Sequence, residues 1–150
     1  MGEESLFYRP KNPLASTVGA LLGGPTPSRK GDPAVRFNPN GVEYHVSYGR
    51  GPTTRLGWTE VRAVAVLPGL FEGRQALCVY PFQELPDPDI PAGERWTGSG
   101  PGLALHFKSL FGTPIAVHWH HVRGPSLKKL ANRLPTWTEG RIALTSARPA

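Results

Sequence analysis

The chain has 150 residues, a length that suits one domain with a single core. Its 17 prolines and 18 glycines point to short strands and long connections, and its one cysteine excludes an internal disulfide framework. The net charge of +6 is uneven: residues 1–94 hold nine basic and ten acidic side chains, whereas residues 95–150 hold eight basic and one acidic, Glu139. Such asymmetry turns attention to an anionic partner for the C-terminal third, against a solvated basic face with no ligand. The start, Met1-Gly2-Glu3-Glu4, is acidic where a secretory signal is basic. The apolar run 14–24 is about half the length of a membrane-spanning helix, so a cytoplasmic protein without a transmembrane segment is the expectation.

Residues 1–33 read as a flexible or partner-docking arm. Pro10, Pro13, Pro25, Pro27 and Pro33 alternate with glycines, and such a segment buries too little to offset its ordering entropy. Two apolar patches interrupt it, Leu6-Phe7-Tyr8 and Val18 to Leu22. The first supplies candidate partner contacts, and 14–22 has the pattern of a short helix in a complex.

The domain is expected over residues 34–144. Val35 and Phe37 share one face of a first strand, and Asn38-Pro39-Asn40-Gly41 has hairpin chemistry. Val42 to Tyr48 alternates apolar and polar, which places Val42, Tyr44, Val46 and Tyr48 on a core face and Glu43, His45 and Ser47 in water. Thr54 to Trp58 and Val61 to Leu67 continue an antiparallel meander. Arg74 to Phe82 is apolar on both faces, with Ala76, Cys78, Tyr80 and Phe82 on one and Leu77 and Val79 on the other. A strand of this kind is covered on both sides.

A proline-rich connection follows, with Asp87, Asp89, Glu84 and Glu94 but without the ligand ladder and turn glycine of a calcium loop. Leu103 to Phe107 and Pro114 to Trp119 read as two more strands, the first with His106 outward and the second with His118 outward. Gly124-Pro125-Ser126 opens a helix whose apolar stripe is Leu127, Leu130, Ala131 and Leu134, and Pro135 ends it. Residues 145–150 read as a frayed tail.

Seven strands closed by one C-terminal amphipathic helix give a mainly β chain: a bent antiparallel sandwich or partly open barrel. Leu56-Gly57-Trp58-Thr59-Glu60-Val61 resembles the Ile-x-Trp-x-x-Ile step of small bacterial pleckstrin-homology-like (PH-like) proteins. Gly112-Thr113-Pro114-Ile115 and Ser126 to Leu134 are similar to that group's C-terminal half. The resemblance spans about residues 34–134 and implies a PH-like fold, without the paired transmembrane helices that some members carry. The basic residues that phosphoinositide-binding members place around the first hairpins are reduced here to Arg50 and Arg55.

Three functions follow as expectations. A non-catalytic interaction module would bind a protein or peptide in the groove between a sheet edge and the C-terminal helix, with the arm adding a strand or helix to a neighbouring chain. An adaptor for an anionic membrane surface or nucleic acid would use the basic face of Lys108, Arg123, Lys128, Lys129 and Arg133, with Trp137 beside it. A small zinc enzyme would use His118 and His120, two positions apart on a strand, with His106 as third ligand. No cofactor signature accompanies any of them. Gly98-Ser99-Gly100 lacks the setting of a nucleophile elbow, no phosphate loop is present, and Cys78 sits among apolar neighbours as core filler.

Overall fold

The alternation of residues 42–45 and the unbroken apolar run of 76–81 decide how the two halves of the sandwich differ. A computed structural model describes residues 2–8, 33–45, 53–69, 74–87 and 101–149. Strands β1 (Glu4–Tyr8), β2 (Pro33–Asn38), β3 (Gly41–His45) and β4 (Thr53–Gly57) are followed by a single 3-10 turn, Trp58–Glu60. Then come β5 (Val61–Pro68), β6 (Gln75–Pro81), helix α1 (Pro101–Phe111) and β7 (Ala116–His118). A second 3-10 turn (Trp119–His121), β8 (Val122–Arg123), helix α2 (Leu127–Trp137) and β9 (Leu144–Thr145) complete the order. One sheet runs β4-β3-β2-β1-β8 and the other β7-β6-β5-β9, with every pairing antiparallel except β5 with β9. Among the described residues the chain is mainly β, with two sheets and two helices, and these strands do not close a barrel.

The main core lies between the sheets. Phe37, Val42 and Tyr44 from the first sheet meet Val64, Leu77, Val79, Ile115 and Val117 from the second. Helix α2 adds Leu130, Leu134 and Trp137. The Trp58 ring stacks on Phe37 at 6.5 Å and on Trp137 at 6.2 Å between centroids. Its indole N–H donates to the Asn38 carbonyl at 2.8 Å, so the strand end is fixed by packing and by a hydrogen bond. The expectation of a buried tryptophan followed by a buried aliphatic therefore holds at Trp58 and Val61. Asn38 Oδ1 accepts from the amides of Asn40 and Gly41, which closes the hairpin. Gly41 has φ +149°, and a Cβ there would lie 2.0 Å from the Leu56 carbonyl oxygen.

Four elements differ from the sequence expectation. Glu4–Tyr8, read as part of an arm, is β1, paired between β2 and β8, and Leu6 is 1% exposed. Burial in the chain's own core offsets the ordering entropy that a free arm could not recover. Pro33, the last residue of the expected arm, opens β2, and residues 9–32, including 14–22, lie outside the described residues, as do Val46, Ser47 and Tyr48.

Leu103 to Phe107, read as a strand, belongs to α1. Ala104, Phe107 and Phe111 recur at helical spacing and cover the second sheet, while Gly112, at φ +79°, donates to the Lys108 carbonyl and ends the helix. Helix α2 runs past Pro135 to Trp137, because only the last turn loses a donor there and Trp137 gains burial. Ser126 caps its start, with Oγ accepting from the Lys129 amide at 3.1 Å.

Finally, Thr145, placed in a frayed tail, pairs in β9 alongside Ala65 of β5. The Arg148 guanidinium lies over Gly112, 2.1 Å from where a Cβ would stand.

Candidate functional site

The second sheet is covered on both faces, as the two-faced apolar pattern of residues 74–82 predicts. Leu77 and Val79 face the main core, and Ala76, Cys78 and Tyr80, with Ala65 and Ala116, face Phe107 and Phe111 of α1. Tyr80 Oη donates to the Phe111 carbonyl at 2.6 Å. Burial pushes the Cys78 thiol and the Tyr80 phenol up to about 12 each, so neither ionises near neutral pH. Cys78 is core filler.

Phe82 departs from its expected face. The strand ends at Pro81, the alternation ends with it, and Phe82 is 59% exposed while its amide donates to the Glu60 carbonyl. Two shallow grooves of about 210 Å³ each flank its ring. One is bordered by Leu56, Thr59 and Glu60 and the other by Arg62, Thr113 and Pro114, and both share Pro81 and Leu85. A large exposed aromatic between two grooves is a contact surface by shape and chemistry.

The histidines are arranged differently from the zinc expectation. His118 points inward, not outward, because α1 covers the face that the pattern of residues 114–119 leaves polar. Its ring lies 5.4 Å from Phe107 and 6.0 Å from Phe111, and the residue is 6% exposed. His120 and His121 stand 5.6 Å from it on the 3-10 turn, with their own rings 4.0 Å apart. Burial, reinforced by the nearby His121, His120 and His106, lowers the His118 pKa to about 4, so it is neutral at pH 7. Burial and then Arg74 lower that of His120. Among the described residues no group of three or more His, Cys, Asp or Glu side chains is placed to hold a metal ion.

The basic candidates are dispersed and mostly engaged. Lys108 reaches Glu84 and Asp87 at 2.7 Å each, and these two hydrogen bonds, the Asp87 bond first, hold its ammonium pKa above the usual range. Lys129 and Arg133 approach the buried Glu4 carboxylate of β1 at 3.4 and 3.5 Å. Trp137, expected beside the basic face, is in the main core. Lys128 is exposed on α2, and Arg123 is exposed at the first sheet's edge.

The remaining candidates fall on β1. Leu6 is in the core, and Phe7 and Tyr8 are paired opposite Arg123 and Val122. The edge of β5 that faces away from β6 is taken by β9, so a peptide cannot add there while Leu144 and Thr145 remain in place.

A further concavity was not legible in the sequence, because its walls come from distant segments. It is a cleft of about 530 Å³ between the start of β6 and the start of α2, lined by Arg74, Trp119, His120, Arg123 and Ser126 among others. In the sequence pattern Arg74 marks only the start of a strand.

Comparison with protein-family models, curated proteins and solved structures returned no match. No described helix is long and apolar enough to cross a membrane.

Proposed function

We propose that this chain is a non-catalytic interaction module of PH-like type that docks a protein or peptide partner on the surface around Phe82. The observation that carries the reading is the exposed Phe82 ring between two grooves, an aromatic anchor without a counterpart among the described residues. Two consecutive meanders, β1–β4 and β5–β7, with α2 packed into the core between them, support the PH-like part of it. The pairing of Lys129 and Arg133 with Glu4, and of Lys108 with Glu84 and Asp87, weakens the adaptor reading. The burial of His118 weakens the zinc reading.

The test is capture of partners from the native host by the full chain and by Phe82→Ser. The substitution is exposed, so its melting temperature should match the parent, and loss of the captured partner is the expected result. Equal capture by both proteins would refute docking at this surface.

A further inference from the structure

At the opposite end of β6 from Phe82, Arg74 and the continuous stretch from Trp119 to Ser126 converge on the 530 Å³ cleft. Arg74 arrives just before β6, Trp119 and His120 from the second 3-10 turn, Arg123 from β8, and Ser126 from the cap of α2. None of the described lining residues is acidic, while two are arginines and one is a histidine. An arginine fork matches the geometry of a phosphate, which it binds through two parallel hydrogen bonds.

The amide end of an 11-residue helix adds positive potential of the same sign at the Ser126 wall. Trp119 lines the cleft and is partly buried against the main core, which holds it in place by packing. The volume is within the range of small-ligand pockets and larger than one phosphate group fills.

We propose that this cleft binds a small phosphorylated ligand carrying a planar ring, of the nucleoside monophosphate class. Arg74 and Arg123 grip the phosphate and Trp119 takes the ring. The inference does not depend on the docking surface at Phe82, which shares no lining residue with the cleft.

The histidines give the site a pH response. Among the described residues, the titratable groups near His120 are the basic His118, His121, Arg74 and Arg123, and His118 in turn faces His106 from α1. A bound anion offsets their repulsion and favours protonated His120. Binding therefore tightens as pH falls through the histidine range. Sulfate, which keeps its double charge across that range, is the probe that isolates this effect from titration of the ligand itself.

Calorimetric titration of the full chain at low salt tests the proposal, with adenosine monophosphate, adenosine, inorganic phosphate and sulfate as probes. The expected order is adenosine monophosphate tighter than phosphate, with phosphate competing and adenosine weakest. Arg74→Ala and Arg123→Ala should each lose about tenfold or more in affinity for the monophosphate. Lys128→Ala, exposed on α2 and outside the cleft lining, should lose none. Both arginines are exposed, and unchanged melting temperatures would exclude misfolding as the cause.

Equal affinity for phosphate and the monophosphate would overturn the role of Trp119. Undiminished binding in the double arginine variant, an equal loss in Lys128→Ala, or binding of anionic vesicles without binding of the monophosphate would overturn the site. Sulfate affinity that stays flat from about pH 8 to pH 5 would overturn the histidine response.

Discussion

The two sheets bury different amounts of themselves. The first exposes a polar outer face, on which Glu43 of β3 gathers Arg55 at 3.2 Å, His45 at 2.7 Å and Arg36 at 4.0 Å. Partial burial pushes the Glu43 pKa up, but the hydrogen bonds from Arg55 and His45 outweigh it and hold the carboxyl below its usual range. The second sheet has no such face, because α1 covers it and the polar groups beneath the helix, Cys78, Tyr80 and His118, are held neutral by burial.

The first sheet thus spends its polar residues on cross-strand pairs that water screens. The second sequesters its own and leaves its accessible chemistry at the two ends of β6, with Phe82 at one and the arginine cleft at the other.

The strongest way to break the comparison is to remove an inner strand of the first sheet. Deleting residues 1–8 strips β1 from between β2 and β8 and takes Leu6 and Glu4 with it. The expected result is loss of a cooperative unfolding transition in denaturant, followed by circular dichroism. A truncation meant to free an arm would instead unfold the domain.

The next largest effect belongs to the core both sheets share. Leu134→Ala, at a fully buried position on α2, should cost about 2–5 kcal/mol in urea unfolding.

Acid should then separate the two sheets. The unfolded chain protonates His118 near its ordinary value of 6.5, whereas the folded chain resists until about 4. Stability should fall as pH drops through that window and level off below it, and His118→Gln should flatten this slope in midpoints measured across pH. The smallest effect is expected at the polar face. Glu43→Gln should change stability by less than about 1 kcal/mol, and by less still in high salt, because Arg55 is largely exposed.

The same contrast explains what could be read in the sequence. Strands β2 to β6 were legible because Val42 and Tyr44 alternate with polar residues and because residues 76–80 are apolar on both faces, as half-covered and fully covered strands require. Strand β1 was not, since five residues beside a proline-rich stretch carry too little pattern to reveal partners 25 or more positions away. Helix α1 was misread because Leu103 to Phe107 fits both periods over so short a window. Extending the window to Phe111 and Gly112 would have separated them.

The inward turn of His118 depends on α1, because a strand in its place would leave that face open. Arg74 and Arg123 are 49 positions apart in sequence, and their meeting at one cleft is a property of topology that no local motif records.

The most direct test of where this module meets its partner is photocrosslinking in the native host. A benzoylphenylalanine probe replaces Phe82 in one protein and Phe7 in another. The account predicts a discrete protein adduct from position 82 and none from position 7, which is paired within the first sheet. An adduct from position 7 alone would contradict it, placing the partner on an N-terminal segment that leaves the sheet.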